Sequence, residues 1–277
     1  MSKIAGVTVI YNPDNKVIKN ICTYVNLLEE LFVIDNSESM DYDIINDIKK
    51  INGVQYIWMK GNQGIASALN CGIYKCIEKN YDWVLTMDQD SQFNNNLLAI
   101  YRNYLDDKDT SSIAILSPQY MTPRSDAKYK KGQDELYWTM QSANLLNLKV
   151  MKKIGFYDEK YFIDCVDYEY CLRAKRNGYK IIRCNKAILI HNPGITKYKK
   201  VLGINIKYGY ASPVRIYYQI RNALYMYKKY SNIRSLCIVA IKLLKIILFY
   251  DNKKEFFTFA IRGISDYKNN VCGKIKL

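Results

Sequence analysis

The first 120 residues alternate between short apolar runs and segments in which apolar side chains recur every three or four positions. The run at residues 4–11 is unbroken and rich in β-branched side chains, which is typical of a central strand covered on both faces. Strands that alternate with helices predict an α/β fold with a mixed, mainly parallel sheet. Strands are predicted at 4–11, 31–34, 54–59, 83–90 and 113–116, and helices at 44–51, 65–77 and 97–105.

Turn residues set the remaining boundaries. A further helix, capped by Asn12 or Asp14, is predicted to run through Leu28. The strand at 113–116 is expected to stop before Pro118. Residues 121–135 are polar and charged, lack periodicity, and predict a mobile loop.

The strand predicted at 83–90 ends in two carboxylates, Asp88 and Asp90. Only one residue separates them, so an extended chain points both the same way, and a tight turn can aim either at a shared ligand. Open α/β sheets bind ligands at the carboxyl edge of their strands, and hard divalent cations that bridge phosphates favour oxygen ligands. Taken alone, such a pair is more often a solvated pair of acids that ends a strand.

Two further positions offer a ligand contact or a purely structural role. Asp35 ends the second strand, where an acid either hydrogen-bonds a base or ribose or serves as a turn residue. Asn62 and Gly64 precede the helix that begins near Ile65. Small residues at a helix start let backbone N–H groups approach a phosphate or sugar, but they serve close packing as well.

A second acidic cluster, Asp164, Asp167 and Glu169, lies at the front of a helix with a basic end. The helix dipole stabilises acids in a first turn, which explains some of them. A carboxylate at a buried helix N-terminus can also act as a general base toward a hydroxyl. Asp167 is the candidate, and the family resemblance described below supplies the grounds for choosing it.

His191 is the single histidine of the chain and follows the strand-like run at 187–190. A lone histidine is more often structural than catalytic. At a strand end, in a fold that presents an acid pair, it is also a candidate third metal ligand or phosphate contact.

The positive charge of the chain is concentrated near its C-terminus. The net charge is +15, and residues 197–277 contain 17 basic and 3 acidic residues. Such a segment is attracted to a polyanion, either a nucleic acid or an anionic membrane leaflet. The eight cysteines form no C-x-x-C pair, and polar residues interrupt the first apolar run too early for a signal peptide, so we expect reduced thiols in the cytosol.

Residues 233–250 are nearly long enough to cross a bilayer but contain Arg234, Lys242 and Lys245. At about 100° per residue, these cations and Ser235 fall within an arc of about 100°, and the opposite face is apolar. The pattern predicts an amphipathic helix at a membrane interface. A helix packed on the rest of the chain with its lysines extended to solvent explains the pattern equally well.

Six stretches, in one order, together resemble a known family. The chain is similar to a family 2 glycosyltransferase of the nucleotide-diphosphosugar-transferase fold, a Rossmann-like GT-A type domain, and especially to bacterial rhamnosyltransferases that build surface polysaccharides such as O-antigen and capsule. The stretches are V-I-Y-N-P-D at 9–14, V-I-D-N at 33–36, N-Q-G-I-A-S-A-L-N at 62–70, L-T-M-D-Q-D-S at 85–91, F-I-D-C-V-D-Y-E-Y-C-L-R at 162–173 and Y-Y-Q-I-R-N at 217–222.

The resemblance implies a role for each matched site residue. Asp88 and Asp90 correspond to a D-x-D motif that holds Mg²⁺ or Mn²⁺ on the donor diphosphate, with Asp90 favoured as the direct ligand and His191 near a late metal or phosphate contact. Asp167 falls at the position of the base, and Asp164 supplies the acid that Val166 replaces in the usual E-D pair. The implied donor-binding residues are Tyr11, Asn12, Asp35, Asn62, Gly64, Asp88 and Gln89.

The function implied by the resemblance is a metal-dependent, inverting transfer of rhamnose from dTDP-rhamnose to a lipid-linked glycan acceptor. A catalytic domain at 1–212 is expected to carry a basic, amphipathic helical extension at 213–277. The protein is expected on the cytoplasmic face of a bacterial membrane, bound to the anionic lipid surface and to no nucleic acid. A nucleotidyltransferase on a similar sheet and a nucleic-acid-binding protein that uses the basic tail are the alternatives.

Overall fold

The computed structural model describes residues 2–93, 96–122, 130–191, 194–201 and 204–276. Within these residues, nine strands form one sheet and two more form a separate hairpin. The strands are β1 (Ile4–Ile10), β2 (Glu30–Asp35), β3 (Val54–Trp58), β4 (Trp83–Asp88), β5 (Gln92–Phe93), β6 (Ile113–Met121), β7 (Gln133–Glu135), β8 (Asn144–Asn147), β9 (Lys180–Ile190), β10 (Thr196–Val201) and β11 (Ile204–Gly209).

Helices follow the strands in the alternation that the sequence predicts. They are α1 (Lys16–Cys22), α2 (Tyr42–Lys50), α3 (Ile65–Glu78), α4 (Leu97–Asp107), α5 (Leu148–Ile154), α6 (Val166–Arg176), α7 (Pro213–Tyr230), α8 (Ile233–Phe249) and α9 (Lys253–Lys268), with 3₁₀ turns at Val25–Leu27 and Glu159–Tyr161. Among the described residues, no helix has both the length and the apolar character required to cross a bilayer.

The sheet is mixed, as predicted. Its strand order is β3-β2-β1-β4-β8-β6-β9-β5, with β7 also paired to β9. The pairs among β3, β2, β1 and β4 are parallel, as is the pair of β6 with β9. β8 runs antiparallel between β4 and β6, and β5 and β7 run antiparallel to β9.

Helices cover both faces of the sheet, which explains why the central strands are apolar throughout. All seven residues of β1 are buried. Val7 and Val9 pack in the cluster that contains α3 and α6, whereas Ile4 and Ile10 pack in the cluster that contains α1, α2 and α4. Each strand therefore contributes side chains to two cores on opposite faces of the sheet.

Three element boundaries differ from the sequence prediction. α1 ends at Cys22 rather than Leu28. The chain turns there because Tyr24 enters the core, where its hydroxyl group lies 2.9 Å from that of Thr8. β6 continues through Pro118 to Met121, since a register shift after the proline accommodates its missing N–H group. The predicted loop at 121–135 contains β7, while its residues 123–129 lie outside the described residues.

The C-terminal region is helical, as predicted. Met226 and Tyr230 of α7 belong to one of the two cores of the sheet. Further residues of α7, such as Ile216, form a smaller cluster with Ile246 of α8 and Phe256 of α9. The division of the chain after residue 212 stays a prediction, although α7 is packed firmly on the preceding part of the chain.

Candidate active site

The turn after β4 and the end of β9 bring three predicted metal ligands together. Asp88 is the last residue of β4, and Asp90 follows in the turn. Pairing of Gln92 with Ile190 in β5 and β9 places His191 beside this turn. One ligand atom from each of Asp88, Asp90 and His191 lies within 4.8 Å of the other two. Residues more than 100 positions apart in sequence thus share one edge of the sheet.

Two serines link the acidic turn to the histidine. The Asp88 N–H group donates to Ser142 Oγ at 3.2 Å, and Ser142 Oγ donates to Ser91 Oγ at 2.8 Å. Ser91 Oγ then lies 3.3 Å from Nδ1 of the buried His191 ring. This chain of hydrogen bonds fixes the orientation of the imidazole relative to the carboxylates. The sequence analysis did not identify Ser142, although it lies in a small-residue stretch.

The electrostatics of the turn suit a cation. Burial, together with the negative charges of Asp90 and Asp167, raises the pKa of Asp88 to about 7. Crowded carboxylates are stabilised when a positive charge lies between them. Two carboxylates and an imidazole are also an acceptable ligand set for a divalent cation such as Mn²⁺ or Mg²⁺. The residues therefore fit a bound divalent metal ion.

Asp167 lies in the first turn of α6, within electrostatic range of Asp88. Burial, with a smaller contribution from the charge of Asp164, raises the pKa of Asp167 to about 6. Backbone N–H groups of Tyr168 and Gln141 oppose the rise, the first at 2.8 Å from Oδ1. A carboxylate with this pKa is ionised near neutral pH and can still accept a proton, as a general base requires.

Asp164 is held by an arginine that the sequence analysis did not identify. Arg215, in the first turn of α7, donates to both carboxylate oxygens of Asp164 at 2.6 and 2.8 Å, and Gln219 adds a contact at 3.3 Å. Arg215 lies just before the stretch at 217–222 that resembles the family. That stretch was the sequence feature that indicated a role for this region. The charge that Asp164 carries into the site is thus partly neutralised by a partner.

Residues of the late stretch at 217–222 support the loop before α6. Asn222 donates from Nδ2 to the carbonyl oxygens of Tyr161, Ile163 and Asp164 at 2.7, 2.8 and 3.0 Å. The fully buried Arg221 donates to the carbonyl of Gly273 at 2.9 Å. Asp164 has a left-handed φ of 63°, a conformation that needs such support. α7 therefore positions the acidic loop.

Glu169, the third acid of this cluster, is structural. It is fully buried, and its carboxylate accepts hydrogen bonds from Arg173 at 2.7 Å, from Lys229 at 2.9 Å and from the hydroxyl group of Tyr230. Two cations and a hydroxyl group from α6 and α7 thus compensate its burial. The sequence showed three acids without separating this one from the others.

A cleft of about 530 Å³ lies beside the metal-type turn. Asn12, Gln89 and Asp90, all predicted site residues, line it together with Lys16 and Lys19 of α1. Its volume is in the range of small-molecule sites, ~300–1,000 Å³. The sequence did not identify these two lysines as site residues, although they lie within five residues of the Asn12–Asp14 turn. They balance the charges of Asp14 and Asp90, which line the same cleft, and are the groups there that can contact the oxygens of a diphosphate.

Hydrogen bonds between Tyr11 and Gln89 connect the ends of β1 and β4. The Gln89 amide accepts from the Tyr11 N–H group at 2.8 Å and donates to the Tyr11 carbonyl at 3.2 Å. Asn12 adopts a left-handed φ of 45°, and its N–H group donates to Ser37 Oγ at 2.8 Å. These bonds shape the wall of the cleft and leave the Tyr11 side chain 41% exposed.

Asp35 lies behind the site. It has no exposed surface, and its oxygens accept from the Ser37 N–H group at 2.9 Å and from the Tyr56 hydroxyl group at 2.7 Å. This is the geometry of the turn acid, one of its two predicted roles. Contact with a base or ribose requires this arrangement to open, and that role stays a prediction.

Gly64 and Asn62 organise the start of α3. Gly64 has a φ of +89°, and a Cβ atom there would lie 2.6 Å from the Phe162 side chain. The Ile65 N–H group donates to the Phe162 carbonyl at 2.7 Å, and Asn62 Oδ1 accepts from the Gly64 N–H group at 3.0 Å. Close packing therefore explains this glycine, and donor contact by Asn62 or Gly64 stays a prediction.

Comparison with known proteins gives a family and two relatives. The model of the family described as Glycosyl transferase family 2 matches residues 7–163. The dTDP-rhamnosyl transferase RfbF of Shigella flexneri is 29% identical over 300 residues, covering 98% of this chain and 97% of that protein. The low-salt glycan biosynthesis hexosyltransferase Agl10 of Haloferax volcanii is 25% identical over 204 residues, covering 63% of this chain and 62% of that protein.

Among solved structures, GalNAc-T7 crystallised with UDP, GalNAc and Mn²⁺ is similar in fold, with a TM-score of 0.61 and 12% identity. The likeness covers 98% of this chain but 56% of that one, so this chain spans little more than half of its length. At this identity the comparison establishes the fold, which is the GT-A fold that the sequence predicts.

Proposed function

This chain belongs to glycosyl transferase family 2, and we propose that it is an inverting rhamnosyltransferase that uses a divalent cation and dTDP-rhamnose. It is a glycosyltransferase by its family. The observation that carries the finer proposal is the convergence of Asp88, Asp90 and His191 at one edge of the sheet, in electrostatic contact with Asp167.

The choice of donor rests on likeness over the whole chain. The Shigella protein named as a dTDP-rhamnosyl transferase aligns with 98% of this chain and 97% of its own length. A match of that extent includes the donor-side loops and the C-terminal helices, not only the sheet. We therefore assign dTDP-rhamnose as donor, bound in the cleft that Lys16, Lys19 and Gln89 line.

On the donor side, Asp88, Asp90 and His191 would hold Mn²⁺ or Mg²⁺, and Ser91 keeps the imidazole in its orientation. A divalent cation supplies compensation for the negative charge that builds up on a departing diphosphate. Lys16 and Lys19 add positive charge at the wall of the same cleft.

On the acceptor side, Asp167 takes the proton of the attacking hydroxyl group. The oxygen of that hydroxyl group forms a bond to the anomeric carbon while the bond to the dTDP oxygen breaks, and the proton passes to the carboxylate. Because attack comes from the face opposite dTDP, one displacement inverts the anomeric centre. Burial keeps the pKa of Asp167 raised, with a smaller contribution from the charge of Asp164, which Arg215 and Gln219 hold in place.

We assign a lipid-linked glycan as the acceptor and the cytoplasmic face of a bacterial membrane as the place of action. The support is the charge of residues 197–277, which contain 17 basic and 3 acidic residues. Such a surface is attracted to anionic lipid, where a glycan on a lipid carrier is presented.

A panel of nucleotides tests the donor and the metal together. Thermal unfolding would be followed with dTDP, dTDP-rhamnose, UDP, UDP-glucose and dTTP, each with and without Mn²⁺. We expect the largest stabilisation from dTDP-rhamnose with Mn²⁺, and loss of the Mn²⁺-dependent part in Asp90→Asn but not in Asp107→Asn, a control on α4. A larger effect of dTTP, with release of diphosphate, would favour a nucleotidyltransferase instead.

The stereochemistry has its own test. NMR of the product formed from dTDP-rhamnose would show the anomeric configuration opposite to that of the donor. A product with the donor configuration would overturn the single displacement, and unchanged turnover in EDTA would overturn the role of the cation.

A further inference from the structure

Helix α8 turns an apolar face to solvent. Seven residues recur at helical spacing on its exposed side, and we call them the α8 stripe. They are Ile233, Cys237, Ala240, Ile241, Leu244, Ile247 and Leu248. At about 100° per residue they fall within an arc of about 120°. Ile241 and Leu244 are 54% and 53% exposed, so the stripe is not covered by neighbouring helices.

Three polar residues of α8, Ser235, Lys242 and Lys245, lie on the side of the helix that meets the protein. Ser235 is fully buried, and Lys245 donates to the Gly209 carbonyl at 3.0 Å. Lys242 is half-buried between them, and its charge interacts with those of Asp164 and Arg215. Apolar residues such as the buried Ile246 also pack inward, so α8 is apolar on its outer side as well as on part of its inner side. Rotating it to bury the stripe would break these contacts, so the stripe stays exposed.

Cations lie at one edge of the stripe and, in sequence, beyond both ends of α8. Arg234 lies at one edge of it, with its guanidinium 4.2 Å from the centre of the Tyr137 ring. Lys228 precedes α8, Lys253 and Lys254 follow it, and all three are exposed. Exposed apolar residues bordered by cations fit the boundary between acyl chains and anionic headgroups. Two copies of this chain that met through their stripes would instead bring equally basic surfaces together.

We propose that the α8 stripe inserts into the headgroup–acyl boundary of an anionic lipid bilayer, with α8 lying in the membrane plane. The inner face of α8 borders the acidic loop, because Lys242 lies within electrostatic range of Asp164. The bilayer would then lie on the acceptor side of the site. The membrane docking does not depend on the proposed function. Only the delivery of a lipid-linked acceptor rests on the proposed function.

Vesicle flotation tests the docking. The full chain would be mixed with phosphatidylglycerol-containing vesicles or with phosphatidylcholine vesicles. We expect binding to the anionic vesicles, weakened at least about tenfold by Leu244→Glu or Ile241→Glu, since each substitution places a charge in the apolar boundary. The matched control is Tyr42→Glu, which adds the same charge at an apolar residue of α2 that is 67% exposed. It should bind as the wild type does.

Three results would overturn the docking. The first is no binding of the wild type to either vesicle, and the second is equal binding by all variants. The third is a wild-type dimer that Leu244→Glu converts to a monomer, which would assign the stripe to a second copy. A tryptophan introduced by Leu244→Trp gives an independent measurement, because its emission shifts to the blue only if it enters the acyl boundary.

Donor binding separates this inference from the proposed function. Leu244→Glu should keep the stabilisation by dTDP-rhamnose and the transfer to a water-soluble acceptor, while transfer to a lipid-linked acceptor in vesicles falls. Vesicle binding without any stabilisation by dTDP-rhamnose would overturn the proposed function and leave the docking intact. If the wild type and Leu244→Glu transferred sugar equally well to the lipid-linked acceptor, only the role of the stripe in acceptor delivery would be overturned.

Discussion

Replacing Asp167 with Asn should make the protein more stable and less active. The ordinary pKa of this carboxyl is 3.8, and burial raises it to about 6 in the folded protein. The difference of about two pKa units corresponds to about 3 kcal/mol of unfavourable free energy for the ionised group in the fold. Asn has nearly the same shape without the charge, so the variant escapes this penalty.

The sign of the effect follows from proton binding. The folded protein binds the Asp167 proton more tightly than the unfolded chain does, since the folded pKa is the higher one. The penalty is therefore fully present above about pH 6, shrinks as the pH falls, and vanishes below the unfolded pKa. We expect Asp167→Asn to raise the free energy of unfolding by about 3 kcal/mol at about pH 8 and by about half as much at about pH 5.

The assay is urea unfolding of the wild type and variant at both pH values in EDTA, so that no cation compensates the neighbouring carboxylates. Asp107→Asn, an exposed acid on α4, is the control and should change stability little at either pH. In parallel, turnover of Asp167→Asn should fall by ~10²–10⁴-fold, the usual contribution of a general base. Binding of dTDP-rhamnose should be unchanged.

Two outcomes would refute this reasoning. A variant that is less stable at the higher pH would mean that the ionised carboxylate is well compensated in the fold. A variant with normal turnover would end the assignment of Asp167 as base, whatever its stability.

Three further predictions follow from local contacts. Gly64→Ala should lower stability by about 1–3 kcal/mol, because the new Cβ meets Phe162 at a positive φ; an unchanged melting temperature would contradict this. Glu169→Ala should lower the free energy of unfolding by about 1–3 kcal/mol, since the partly buried Arg173 and the buried hydroxyl group of Tyr230 lose their hydrogen-bond acceptor, while the exposed Lys229 can turn to water. A loss under about 1 kcal/mol in urea would speak against that pairing. Ser91→Ala should weaken Mn²⁺ binding by ~10–100-fold in calorimetry by freeing the His191 ring, and equal affinity would show that the serine does not orient it.

The sequence by itself determined the fold class and most of the elements. Periodicity records which side chains are buried, and the strands at the start of the chain are buried on both faces, so the α/β pattern was visible without a structure. The ends of α1 and β6 were not visible in the sequence, because they depend on partners that are distant in sequence. α1 ends where Tyr24 reaches Thr8, and β6 continues past Pro118 because β9 pairs with it.

For the site, the sequence identified the candidate acids and the histidine but not their convergence. Asp88 and His191 meet because β5 pairs with β9, a contact that no local pattern records. The sequence also could not separate Glu169 from its neighbours. Its partner Lys229 lies 60 residues away, on α7, and only the packing of α7 against α6 brings the two charges together.

The orientation of α8 is the clearest case of what only the tertiary structure decided. The sequence determined that this helix has an apolar face and a polar one. Which face meets the protein depends on the surface that receives it, and that surface offers the Gly209 carbonyl and the charge of Asp164 to the lysines. Because those partners come from distant parts of the chain, the apolar stripe is left facing outward.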